Sequence, residues 1–92
     1  MIKSFAHKGL EKFYLTANTS GIQAIHARRL RLILTLLDAA VVVEDMNAPG
    51  LNLHRLKGSR KNTWSVTVQA NRRVTFRFEG GNAETVNYED YH

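Results

Sequence analysis

Potentially reactive side chains are concentrated in the second half of the chain. They are His54 and Lys57 in one short segment, Arg73 further along, and the final Asp90, Tyr91 and His92. An imidazole suits proton transfer because its ordinary pKa of about 6.5 lies near neutral pH. Arginine binds a phosphate through two N–H groups of its planar guanidinium, and lysine binds it through a single positive charge. These residue types therefore suit acid–base chemistry on an anionic group.

Arg73 opens an alternating segment in which Thr75 and Arg77 are the next polar positions. The apolar positions between and after them are Val74, Phe76 and Phe78. Strand side chains point alternately to the two faces of a sheet. The pattern predicts a basic, polar sheet face containing Arg73, and His92 follows the strand expected to pair with the Arg73 strand.

Each histidine also has a simpler interpretation. His92 is at the chain end, where residues commonly have no role, and His54 alone would be a solvated loop side chain. His7 and His26 are interpreted as structural or surface residues.

A metal site is a further alternative, because His54, Asp90 and His92 together offer ligands for a divalent ion. Lys57, Arg73 and Arg55 nearby would repel a cation. A metal-free site without a cofactor is therefore predicted.

Composition restricts the classes of function. The 92 residues include 13 Lys and Arg against 8 Asp and Glu, and this net charge of +5 attracts polyanions such as RNA, DNA or an acidic protein. The lack of cysteine excludes a disulfide framework, a thiolate nucleophile and a Cys-based zinc site. One domain over residues 1–92 is expected. The charged start has no secretory pattern, and polar residues interrupt the apolar run 30–43, so no membrane span and a cytoplasmic location are expected.

The first half of the chain predicts a strand over Ile2–Phe5, a helix over His7–Thr16 and a second helix from about Ile22 to Ala40. Ser20 is a candidate cap of the second helix. Its basic patch, Arg28, Arg29 and Arg31, is either a solvated helix face or, like Arg77, a contact to RNA phosphates. A short helical turn is expected within Val41–Asn47, before Pro49 and Gly50.

After Gly50 the apolar residues alternate with polar ones in three segments separated by turns at residues 70–72 and 80–82. The sequence thus predicts an α+β fold in which an N-terminal strand and two helices pack on a C-terminal antiparallel β-meander. Trp64 and Phe76 should be largely buried. The expected core consists of Phe13, Ile33, Leu37, Trp64, Val66, Val74, Phe76 and Val86.

Four motifs carry a resemblance to a known family. They are MIKSF at the start, LHRLKG at 53–58, WSVTVQANRRVTF at 64–76 and NYEDYH at the end. With them the chain resembles the HigB toxins, a branch of the RelE-like superfamily of type II toxin–antitoxin systems. The resemblance covers nearly the whole chain and is weakest between Thr16 and Asn52. Arg55 departs from it, because many relatives have proline after the histidine.

The resemblance implies a small sheet covered by helices and a metal-independent endoribonuclease that cleaves mRNA in the A site of the 70S ribosome. It places the catalytic positions on His54, Lys57, Arg73, Asp90, Tyr91 and His92. It also implies a HigA-like helix-turn-helix antitoxin, through which the toxin would reach operator DNA indirectly. The alternatives are a non-catalytic RNA- or ribosome-binding basic protein and an interaction module for an acidic partner.

Overall fold

A computed structural model describes residues 1–60, 62–69 and 71–90 of the chain. This part contains two α-helices, α1 (Lys8–Thr16) and α2 (Ala27–Ala39), and four strands. The strands are β1 (His54–Arg55), β2 (Thr63–Gln69), β3 (Arg72–Glu79) and β4 (Asn82–Asp90). Short 3-10 turns lie at Ala24–His26, Val43–Met46 and Gly58–Arg60. The predicted α+β class is confirmed, and the turn at Val43–Met46 matches the expected one.

The four strands form one antiparallel sheet in the order β1-β2-β3-β4. The predicted three-strand meander corresponds to β2, β3 and β4, while β1 is an additional two-residue strand at the β2 edge. The pairing register shifts once between β3 and β4, and Thr85 there has a φ of +55°. Because β1 carries His54, this short strand matters for the site.

Helix α1 begins where His7 serves as its N-cap. The Nδ1 atom of His7 accepts a hydrogen bond of 3.0 Å from the backbone N–H of Leu10. The helix ends at Ala17, whose φ of +63° lies in the left-handed region and whose N–H donates to the carbonyl of Phe13. Leu10 and Phe13 point into the core. The structural interpretation of His7 is confirmed.

Helix α2 is shorter than predicted, and Ser20 does not cap it. The segment before Ala27 forms a 3-10 turn in which Ile25, which the sequence placed inside this amphipathic helix, is 77% exposed and not part of its buried side. The physical reason is His26, which is buried and whose Nδ1 lies 2.5 Å from the hydroxyl of Tyr88. This contact between His26 and Tyr88 holds the chain in the 3-10 turn, and the regular helix starts after the turn. In the described part of the chain, no helix is both long and apolar enough to cross a membrane.

The predicted N-terminal strand is reduced to two isolated parallel bridges, Ile2 to Ala83 and Phe5 to Val86. Side chains take some of the backbone hydrogen bonds that a full strand would use. Asp38 Oδ1 accepts from the N–H of Ile2, and Ser4 Oγ accepts from the N–H of Thr85 at the irregular point of β4. The N-terminal segment therefore lies along β4 without forming a regular strand beside it.

The core lies between the helices and one face of the sheet, called here the helix-covered face. Seven of the eight predicted core residues are buried, which confirms the assignment of that face: Phe13, Ile33, Leu37, Val66, Val74, Phe76 and Val86. Trp64, the eighth, is partly buried and packs against this core, in agreement with the expectation that most of its surface is covered. Trp64 pairs with Arg55 of edge strand β1, and the Arg55 guanidinium lies over its ring at 5.7 Å. At this edge of the sheet, a cation packs on the indole ring.

Candidate active site

The other face of the sheet is polar, as the sequence predicted, and it is called the polar face from here on. Residues directly opposite each other in antiparallel strands share a face. The strand register therefore places one row across all four strands, formed by His54, Ser65, Thr75 and Asn87. The adjacent row crosses β2, β3 and β4 and is formed by Thr67, Arg73 and Glu89. His54 and Arg73 thus lie on the same side of the sheet, two strands apart.

Glu89 lies at the centre of the polar contacts on this face. Its carboxylate accepts two hydrogen bonds from Arg60, Nη1 to Oε1 at 3.0 Å and Nη2 to Oε2 at 2.6 Å. The Arg73 guanidinium approaches Oε1 at 3.5 Å, and the hydroxyl of Thr75 donates to Oε2 at 2.5 Å. The amide of Asn87 donates to Oε2 at 3.2 Å. Four side chains are therefore held by one carboxylate.

The Arg60 contact also locates the segment that joins β1 to β2. Arg60 is the last residue of the Gly58–Arg60 turn, whereas Glu89 belongs to β4, which β3 separates from β2. Two strand spacings amount to roughly 10 Å. The turn must therefore fold over the polar face for Arg60 to reach Glu89. Consistent with such a cover, Ser65 and Thr75 are fully buried although they belong to this face.

These contacts change the acidity of Glu89. The pKa of Glu89 is lowered from 4.5 to about 2, and the hydrogen bonds from Arg60 are the largest cause. Burial acts in the opposite direction, while the hydrogen bond from Thr75 and the charges of Arg60 and Arg73 also contribute to the lowering. Glu89 is therefore a carboxylate throughout the neutral and mildly acidic range.

This shift predicts a defined loss of stability in acid. A carboxyl whose pKa is lower in the folded than in the unfolded state stabilises the fold above the unfolded value, and this contribution is lost as the pH falls towards the folded value. For Glu89 the window runs from pH 4.5 down to about 2. We expect the contribution to fall by about 2 kcal/mol between about pH 6 and pH 3. Urea unfolding of the wild type and of Glu89→Gln at both pH values measures it. Equal losses in the two proteins would contradict the assignment.

His54 lies on the β1 side of the polar face, and Lys57 follows it three residues later in the chain. The Nδ1 atom of His54 lies 3.0 Å from the carbonyl oxygen of Asn52. A carbonyl only accepts, so Nδ1 carries the proton of this bond and Nε2 is the nitrogen available for proton exchange. Lys57 is exposed in the segment between β1 and the Gly58–Arg60 turn. Both residues belong to the segment that Arg60 ties to the sheet.

Asp90 lies on a different face from His54 and Arg73. Its Oδ1 is 2.6 Å from Nε of Arg72, its partner across the strands, and the Arg72 guanidinium lies 4.5 Å above the ring of Tyr88. Tyr88 is a core residue, so this pair is on the helix-covered side. The reason is strand alternation, which separates Asp90 from its neighbour Glu89. This placement also gives no support to a metal site that includes His54 and Asp90. Tyr91 and His92, the last two predicted catalytic residues, lie outside the described residues.

The predicted phosphate contacts on α2 belong to the helix side of the molecule. Arg29 is half-buried and donates to the carbonyl of Gly50 at 2.7 Å, and the guanidinium of Arg31 lies 5.5 Å from the ring centre of Phe13. Arg28 is exposed. Helix α2 packs against the helix-covered face, so these three residues are not grouped with His54. Arg77, by contrast, shares the polar face with Arg73 and pairs with Glu84 on β4.

Sequence reasoning did not select Arg60 or Glu89. The alternation that places Arg73 on the polar face applies equally to β4 and assigns Glu89 to the same face, so this signal was present in the sequence. Arg60 had no comparable signal, because a residue in a short connection has no fixed side-chain period. The contact between them depends on how that connection folds over the sheet.

Comparisons with known proteins agree with this architecture. Residues 3–92 match the family described as "RelE-like toxin of type II toxin-antitoxin system HigB". A protein from Proteus vulgaris named "Endoribonuclease HigB" is 46% identical over 92 residues, with the whole of both chains covered. A family match over almost the entire chain, together with a full-length relative of this similarity, shows that the chain belongs to the HigB family of RelE-like toxins of type II toxin–antitoxin systems.

Proposed function

We propose that this chain is an endoribonuclease that cuts mRNA in the A site of the 70S ribosome, without a metal, and so inhibits translation and growth. The observation that carries the proposal is the polar face, where His54 lies on the same side of the sheet as Arg73 and Arg60. The name of the Proteus vulgaris relative supports the same class of activity. A proton-transferring group and cations on one surface are what cleavage of a phosphodiester requires.

In the proposed reaction the 2′-hydroxyl of the RNA attacks the adjacent phosphorus and the bond to the 5′-oxygen breaks. A base removes the 2′ proton, cations stabilise the negative charge that builds on the phosphate, and an acid protonates the departing oxygen. We assign Arg73 and Lys57 to the phosphate. Tyr91 is assigned to stacking on a base, as aromatic side chains do with unpaired RNA.

His92 and His54 are each assigned one of the two proton transfers. We assign His92 as the base and His54 as the acid, and exchanging these two roles is compatible with the same chemistry. The hydrogen bond from His54 Nδ1 to Asn52 supports a role in which Nε2 exchanges the proton. Asp90 is assigned to orienting His92. Its ion pair with Arg72 holds the end of β4, which Tyr91 and His92 follow directly in sequence.

Membership of the family implies an antitoxin partner. We propose that it is a HigA-like helix-turn-helix protein and that the toxin is associated with operator DNA only through it.

The test compares free RNA with programmed ribosomes. We expect poor cleavage of free RNA and efficient cleavage of mRNA on ribosomes, because binding in the A site orients the reacting groups. Chelation should leave the catalytic step unchanged, and the control confirms that preassembled ribosomes survive the chelator. Efficient, EDTA-sensitive cutting of naked RNA would contradict the mechanism. Binding to ribosomes without any cleavage would favour the non-catalytic alternative.

A further inference from the structure

Arg60 has the geometry of a phosphate-binding residue whose partner in the free protein is a carboxylate. Both of its terminal nitrogens bind the two oxygens of Glu89, at 3.0 and 2.6 Å. This parallel two-bond arrangement is the one in which arginine also binds phosphate. The contact uses two of the five N–H groups of a guanidinium, and 43% of the Arg60 side chain is exposed. The residue is thus accessible to a second anion.

Arg60 is also beside a proposed active-site cation. Arg60 and Arg73 both contact Glu89 Oε1, at 3.0 and 3.5 Å, so the two guanidinium groups lie close together at one oxygen. Two neighbouring guanidinium groups are suited to binding the oxygens of one phosphate.

We propose that Arg60 is a further RNA-phosphate-binding residue of the polar face and that Glu89 is the positioning residue that holds it beside Arg73. This inference rests on the proposed function, because it assigns another contact of the same site to the same substrate. The negative charge of Glu89 offsets the repulsion between the two guanidinium groups in the free protein. A fixed orientation of the two guanidinium groups favours the cleavage step, in which the reacting groups must be aligned.

The rival interpretation is that the Arg60–Glu89 pair only fastens the Gly58–Arg60 turn to the sheet. The two interpretations predict different effects on RNA affinity when either member of the pair is replaced. A purely structural pair gives the same effect on RNA affinity for Arg60→Gln and for Glu89→Gln. A phosphate-binding Arg60 gives opposite effects, because the first variant removes the cation and the second removes a competing anion.

The experiment measures binding to ribosomes programmed with an mRNA whose A-site 2′-hydroxyls are methylated, over a range of salt concentrations. Arg60→Gln should weaken binding by about tenfold and reduce the slope of log affinity against log salt by about 0.7. Arg60→Lys keeps the charge and should retain the wild-type slope. Glu89→Gln should bind as tightly as the wild type or tighter, while the cleavage rate on unmodified mRNA falls because Arg73 and Arg60 lose their orientation.

Charge-matched controls lie on the helix side of the molecule, where Lys12→Gln and Glu11→Gln remove one exposed positive and one exposed negative charge from α1. Circular dichroism checks that all variants fold. A repeat with ribosomes lacking mRNA identifies the source of the phosphate, since a slope change that persists there assigns it to ribosomal RNA.

The outcomes separate this inference from the proposed function. Absence of cleavage by the wild type would contradict the function, whereas the Arg60 assignment depends on the binding data alone. Weaker binding by both Arg60→Gln and Glu89→Gln, or an unchanged slope in Arg60→Gln, would overturn the assignment of Arg60.

Discussion

Replacing His92 by Gln is expected to lower single-turnover cleavage of mRNA on programmed ribosomes by about 100- to 10,000-fold, the range for losing a general acid or base. Glutamine keeps some hydrogen bonding but does not transfer a proton near neutral pH. Binding to the ribosome should be unchanged, because the remaining basic residues still supply the attraction to RNA. Growth arrest on expression in bacteria should disappear with the activity.

The matched control is His7→Asn. It removes a histidine from the helix N-cap, where asparagine is itself a favoured cap, so the fold and the cleavage rate should be retained. Binding and cleavage are measured separately for both variants. If His92→Gln cleaves within about threefold of the wild type, His92 is not a catalytic acid or base and the assignment moves to His54.

Replacing Phe76 by Ala is expected to destabilise the fold by about 3 to 5 kcal/mol, because it leaves a cavity in a fully packed environment. The Phe76 side chain is completely buried on β3 and belongs to the core that β2, β4 and α2 share. A domain of this size has a total stability of about 5 to 15 kcal/mol. The variant should therefore be partly unfolded under mild conditions, and urea unfolding of both proteins measures the difference.

Leu15→Ala is the comparison for this substitution. Leu15 lies on α1 and is 68% exposed, so removing its side chain should change the unfolding free energy by no more than about 0.5 kcal/mol. A cost below about 1 kcal/mol for Phe76→Ala would mean that the packing described for the helix-covered face is incorrect.

Strong periodicity in the sequence determined most of the fold. Val74 and Phe76 alternate with Arg73 and Thr75, and a period of two fixes which side chains share a face once one face is buried. The same rule predicted the polar face correctly. The N-terminal helix was predictable because Leu10 and Phe13 recur at helical spacing before the polar loop that begins at Ala17.

The errors occurred where a tertiary contact overrides local pattern. Ile25 fits the apolar stripe of α2, but the buried contact between His26 and Tyr88 holds this segment in a 3-10 turn and leaves Ile25 exposed. Tyr88 is 62 residues away from His26 in the chain, so no local pattern shows this contact.

For the candidate site, the sequence by itself determined the reactive residue types and, through its motifs, the family. The tertiary structure decided which of these residues lie on the same face or in contact. It placed His54 on the face of Arg73 through a two-residue strand too short to be read from periodicity, and it paired Asp90 with Arg72 on the other face. It also brought Arg60 to Glu89, which is 29 residues away in the chain. Local patterns encode the side of a strand that a residue occupies, whereas contacts between distant segments depend on how a connection folds over the sheet.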